Sequence, residues 1–176
     1  VHNRTPRIPE QPAPNQAGFT AELASVVTGA RRRALRDGDR HIDTAHLLHS
    51  LIESDPEVRA VFDGGPQLAR VLGYLVQRSI GYGLRWQGTL EHSGGQTVAR
   101  EPGADAWSPS AVAAMDRAER GAALRGESCA GGLDILAALV GDPQCRAVEV
   151  LGRAGVEAAW LAGRTADRLA EVSRQR

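Results

Sequence analysis

Residues 19–61 read FTAELASVVTGARRRALRDGDRHIDTAHLLHSLIESDPEVRAV, and the chain states this plan twice. Phe19-Thr20 opens an apolar helical run, Gly38 stops it, Thr44-Ala45-His46-Leu47-Leu48 starts a second helix and Asp55-Pro56 opens a third. Trp107-Ser108 stands 88 positions after Phe19-Thr20, and at the same offset Gly126 follows Gly38 and Leu136 and Leu139 follow Leu48 and Leu51. Ala30, Arg32 and Ala34 return as Ala118, Arg120 and Ala122. After a one-residue slip, Asp55-Pro56 with Arg59-Ala60-Val61 is answered by Asp142-Pro143 with Arg146-Ala147-Val148. Shared order of apolar positions, helix stops and helix starts marks a duplicated helical unit. The expected fold is all-α, with two pseudo-symmetric four-helix repeats.

Four segments follow from this plan. Residues 1–18 carry four prolines and little apolar material, which predicts a disordered or extended arm. The first repeat spans 19–79 and the second 107–173. Residues 80–106 between them hold six glycines and no helical period, which predicts a linker loop. Thr89-Leu90 and Thr97-Val98 around Ser93-Gly94-Gly95 give it a weak hairpin signal, and Tyr82 and Trp86 are candidates to pin it to the helices.

Within the repeats, the expected first helix runs from about Thr20, its cap, to Arg36, with Leu23, Val26, Val27, Ala30 and Ala34 inward. The second starts at Asp43 or Thr44, the third at Asp55-Pro56, and the fourth at Pro66 with Leu68, Val71, Leu72, Leu75 and Val76 inward. In the second repeat, Ser108-Pro109 opens the fifth helix, with Val112, Met115, Ala118 and Ala122 inward. Gly132–Val140 forms the sixth, Asp142-Pro143 opens the seventh, and the eighth buries Trp160, Leu161, Thr165 and Leu169.

Composition narrows the chemistry. The 176 residues carry 21 basic and 21 acidic side chains, so no global field favours nucleic acid or an anionic membrane. Every basic residue is Arg, which excludes a P-loop lysine, a Schiff-base lysine and a lysine general base. Cys129 and Cys145 have neither metal nor redox spacing and read as thiols packed as small hydrophobes. No signal peptide or membrane span is recognisable, and a cytoplasmic location is expected. No nucleophile elbow, catalytic Cys-His signature or paired-carboxylate motif appears, so no enzyme, no catalytic residue and no cofactor is expected. His46 and His49 share a helical face, but a metal site needs a third and usually a fourth ligand. The second repeat has Asp134 and Ala137 at those places, so local hydrogen bonding by the histidines is the expected role. Arg31-Arg32-Arg33 with Arg36 invites a phosphate reading. The adjacent Asp37 and Asp39 and the C-terminal helix position favour a solvated basic face instead.

Phe-Thr opening a helix, a glycine stop, Ile42-Asp43-Thr44-Ala45-His46-Leu47-Leu48 and a second opening at Trp107-Ser108-Pro109 together resemble the double Clp N-terminal repeat domain. That module stands in front of the AAA+ rings of Clp-family unfoldases, and the resemblance covers about Phe19 to Leu169. It implies a protein- or peptide-binding module: an adaptor, a regulator or a decoy in Clp-dependent proteolysis or chaperone action. Its implied partners are Clp-system proteins, substrate proteins or Clp-directed peptide ligands. No Walker A motif is present, so no ATP use is expected, and the module is expected to stand free of an ATPase body. In that family each repeat usually carries Thr-Glu-His, and in one branch the Glu anchors phosphorylated arginine. Here the two places hold Ala45 and Leu133, which removes the charged acceptors for a guanidinium group. The family's apolar surface between the repeats maps onto Phe19, Val27, Thr28, Trp107 and Met115. The competing account makes these plain core, since an aromatic at a helix start often packs inward. A nucleic-acid-binding helical regulator using Arg31–Arg33 is the alternative function.

Overall fold

The structure is a computed structural model, described here for residues 18–79, 90–91 and 106–176. Most of the expected arm, the interior of the linker with its hairpin, and Tyr82 and Trp86 lie outside these residues. The described chain forms α1 (Ala21–Asp37), β1 (His41–Ile42), α2 (Thr44–Ser54), α3 (Pro56–Ala60), α4 (Gly64–Ser79), β2 (Ala106–Trp107), α5 (Pro109–Leu124), α6 (Gly132–Val140), α7 (Arg146–Arg153) and α8 (Ala158–Arg174). The all-α expectation holds, with eight helices among the described residues.

Local chemistry sets the helix ends. Thr20 and Ser108 cap α1 and α5 by accepting the amides of Leu23 and Ala111, which are equivalent positions of the two repeats. Gly38 and Gly126 follow the two helices at φ 72° and 78°, the left-handed stop that glycine adopts without penalty. Asp55 caps α3, with Pro56 in its first turn. Two expected starts differ. Helix α4 begins at Gly64 rather than Pro66, and α7 begins at Arg146 with Cys145 before it. Asp142 instead accepts the Gln144 amide at 3.1 Å, so the second Asp-Pro closes a turn and does not open the helix.

The short strands were not anticipated, and they tie the repeats together. His41–Ile42 pairs in parallel with Ala106–Trp107, and Phe19 bridges to Ala130. The Thr20 amide donates to the Ala130 carbonyl at 2.9 Å, and the Ser108 amide donates to the Ile42 carbonyl at 2.9 Å. Each repeat therefore pairs the segment before its first helix with the segment before the other repeat's second helix. This reciprocal exchange buries one continuous core, in which Leu23, Leu47, Leu48, Leu51, Ile135, Leu136, Leu139, Leu151 and Leu161 are fully enclosed. Val76 and Trp160, expected inward, are instead 49% and 37% exposed. The Trp160 ring lies under the Arg164 guanidinium, 5.1 Å from its centroid, a cation–π contact that suits a surface indole. Neither cysteine is in a disulfide. Burial pushes the Cys145 thiol pKa up to about 11.

Candidate ligand-binding groove

Helix α1 places Ser25, Thr28, Gly29, Arg32 and Arg36 at three- and four-residue intervals along one face. Opposite them lie Ser50, Glu53 and Ser54 from the last turns of α2, and between the two helices runs a groove of about 540 Å³. The two helices approach closely beside it, at Gly29 and Ser50. A Cβ at Gly29 would sit 2.5 Å from the Ser50 hydroxyl oxygen, so any larger residue there forces the hydroxyl to move. The Ser50 hydroxyl donates back to the Val26 carbonyl at 2.7 Å and pins α2 against α1.

Charge in the groove is unevenly satisfied. Arg33 pairs with Glu53, whose carboxylate also receives His49 Nε2 at 3.2 Å. Burial, then the neighbouring Arg33, lowers the His49 pKa to about 4, so this ring is neutral at pH 7. Arg59 donates to the Ile52 and Glu53 carbonyls at 3.0 Å, covering the C-terminal end of α2. Arg32 and Arg36 line the same groove, and neither meets a carboxylate among the described residues.

A second polar cluster is wholly internal. Glu91, 4% exposed, accepts from the Thr44 amide at 2.9 Å, the Ser108 hydroxyl at 2.8 Å and the Arg146 amide at 2.6 Å, and pairs with the Thr44 hydroxyl. Its one carboxylate thus meets the starts of α2, α5 and α7, where amides lack helical partners and a negative charge is favoured. Beside it, buried Asp43 joins Arg78 and takes Arg146 at 2.9 Å. Burial alone would raise the Asp43 pKa. The His46, Arg78 and Arg146 contacts outweigh that and hold it far below the carboxylate range. His46 accepts the Asp43 amide at Nδ1 and meets Asp39 through Nε2 at 2.8 Å. Burial pulls its pKa down, but the hydrogen bonds to Asp39 and Asp43 prevail and leave it raised. Asp134, the counterpart of His46, accepts the Gly131 amide in the same way. The histidine is therefore a helix-start hydrogen-bonder, one of two solutions to the same capping task. Asp37, Asp39 and His46 lie near enough to share an ion, though both His46 nitrogens already have partners.

The five residues singled out in the sequence separate by depth. Phe19, Val27 and Met115 belong to the core at 8%, 1% and 3% exposure. Thr28 is exposed and lines the α1–α2 groove, its hydroxyl donating to the Ala24 carbonyl. Trp107 is half-buried, packs against the core, and its indole N–H has no acceptor among the described residues. Sequence reasoning missed Ser25, Gly29, Ser50, Glu53 and Ser54 as groove residues and Glu91 as the centre of the internal cluster. A glycine inside a helix costs roughly 1 kcal/mol against alanine, so Gly29 was the available signal of a close approach.

No protein-family model and no curated protein matches the chain. Solved structures do resemble it. The N-terminal domain of the caseinolytic protease associated chaperone ClpD from Arabidopsis thaliana superposes with a TM-score of 0.62 at 19% identity, over 86% of this chain and 94% of that one. The Hsp104 N-terminal domain from Candida albicans gives 0.61 at 13% identity, over 84% and 88%. A chain from a malarial protein secretion system gives 0.60 at 13% identity, over 86% and 94%. At these identities the likeness establishes the fold, and it agrees with the one the duplicated motifs resemble: the chain has the all-α fold of the Clp N-terminal domains, built from two helical repeats.

Proposed function

We propose that the chain is a non-enzymatic protein-binding module of Clp-dependent proteolysis or chaperone action, serving there as an adaptor, a regulator or a decoy. The observation that carries this reading is the likeness to the N-terminal domains of ClpD and Hsp104 across most of both chains. Partner contact falls to the two of these five residues that reach solvent, Trp107 at the inter-repeat contact and Thr28 on α1, with Phe19, Val27 and Met115 in the core. A half-buried indole suits such a contact, because a large ring buries much area at low rotamer cost. The nucleic-acid alternative finds less support. Arg33 is paired with Glu53, and the Nε of Arg31 is buried. No helix among the described residues is long and apolar enough to cross a membrane.

The test offers the immobilised protein a purified Clp-family ATPase and an unfolded model substrate, and then adds the soluble protein to a Clp degradation assay. Retention of either component, with a changed degradation rate, supports the reading. Retention of neither and an unchanged rate would sink it.

A further inference from the structure

The groove between α1 and α2 is not a requirement of the repeat. At the counterpart positions the second repeat has Ala113 for Ser25, Arg117 for Gly29, Gly121 for Arg33, Leu124 for Arg36 and Gly141 for Glu53. The second repeat keeps Arg120 for Arg32 but lacks the rest of this set, so the first repeat carries the close glycine approach, the second arginine and the carboxylate as additions. Three guanidinium groups share the groove with a single carboxylate, and Glu53 is already engaged by Arg33 and His49. Ser25 and Ser54, both exposed, add hydroxyls along the rim.

Resting on the reading of the chain as a protein-binding module, we propose that this groove binds an acidic peptide segment, with Arg32 and Arg36 taking its carboxylates. One helical turn separates the two arginines, roughly 6 Å along the axis. Alternate side chains of an extended peptide repeat at about 6.6 Å, so Glu or Asp at every second position matches the pair. Guanidinium groups suit carboxylates because their paired N–H donors match both oxygens. The Ser25 and Ser54 hydroxyls are placed to meet the peptide backbone, and about 540 Å³ accommodates a few residues. A nucleic-acid strand fits less well. The lining has no aromatic ring on which a base can stack, and the Glu53 carboxylate repels a continuous polyanion.

The experiment titrates the intact protein with a fluorescein-labelled peptide of alternating glutamate and serine and reads fluorescence anisotropy at low and physiological salt. The comparison probes are the glutamine–serine peptide of equal length and a single-stranded oligothymidylate. The double variant Arg32→Gln/Arg36→Gln is set beside Arg40→Gln/Arg174→Gln, which removes the same charge from exposed positions elsewhere. The expected result is binding of the glutamate peptide that is at least about tenfold tighter than that of the glutamine peptide. A loss of similar size is expected in the groove variant and none in the control, with unchanged melting transitions in both. Equal binding of the two peptides, no binding of either, or equal weakening in both variants overturns the proposal. So does tighter, groove-dependent binding of the oligothymidylate. Because capture of a Clp-family ATPase and of an unfolded substrate is measured separately, failure here with either capture intact leaves the protein-binding reading standing, whereas retention of neither with an unchanged degradation rate removes it.

Discussion

Gly29 of α1 faces Ser50 of α2 so closely that a Cβ would lie 2.5 Å from the serine hydroxyl oxygen, while the Ser50 Cβ itself is 3.7 Å away. The contact is thus limited by one atom. Gly29→Ala should lose about 1–3 kcal/mol despite the better helix propensity of alanine, as overpacking usually does. Gly29→Ala/Ser50→Ala should recover most of that loss, since only an ordinary van der Waals contact then remains. Thermal melts of the two single variants and the double close the cycle, and additive losses would show that the hydroxyl is not the obstacle.

Glu91 holds three helix starts through one carboxylate. Glu91→Ala leaves the Thr44 and Arg146 amides and the Ser108 hydroxyl without an acceptor in a buried place, and roughly 3 kcal/mol or more of stability should go with it. Urea denaturation measures the loss. A change under about 0.5 kcal/mol, the scale of an ordinary surface substitution, would contradict the role given to Glu91.

Asp43 sets the acid limit. Its pKa is depressed in the folded chain from an ordinary value of 3.8, so its contribution is complete above that pH and fades as pH falls towards the folded value. Stability should therefore drop with acid below about pH 4. Asp43→Asn, which leaves Arg78 and Arg146 facing a neutral amide, should cost about 3–5 kcal/mol at pH 7 and flatten the acid limb. Denaturant midpoints from pH 7 to pH 2.5 follow both, and an unchanged acid slope in the variant would place the titrating group elsewhere.

Phosphorylated arginine should bind weakly or not at all. Ala45 is fully buried and Leu133 is 6% exposed, so neither place offers a carboxylate. Calorimetry with free phosphoarginine should give no stoichiometric heat, and a two-site isotherm in the micromolar range would refute this.

Trp107→Ala separates surface from core at the inter-repeat contact. As a partner anchor, Trp107 should cost on the order of 2 kcal/mol of binding when truncated. Its half-buried packing implies a stability loss below the roughly 3–5 kcal/mol of a fully enclosed ring. Melting curves and partner titrations on this one variant read both. A collapsed transition with unchanged affinity in the remaining folded fraction would make Trp107 purely structural.

Caps, stops and apolar spacing are local properties, so Thr20, Gly38, Ser108 and Gly126 and the stripe from Leu23 to Ala34 could be read from the sequence. With their recurrence after 88 positions, they determined an all-helical duplicated fold. Trp160 and Val76 were misplaced because helical spacing marks a face without saying whether a neighbour covers it. Asp142-Pro143 was misplaced because the same dipeptide serves a turn as well as a helix start. Tertiary structure alone decided the pairing of Phe19 with Ala130 and of Ile42 with Trp107, and the landing of Glu91 on three helix starts. These contacts join residues far apart in the chain, and no local preference encodes which distant amide will need an acceptor. The groove is of the same kind. Arg32 and Arg36 are visible as a basic cluster, but a site exists only because α2 packs against α1 beside Gly29 and brings Ser50, Glu53 and Ser54 to face them.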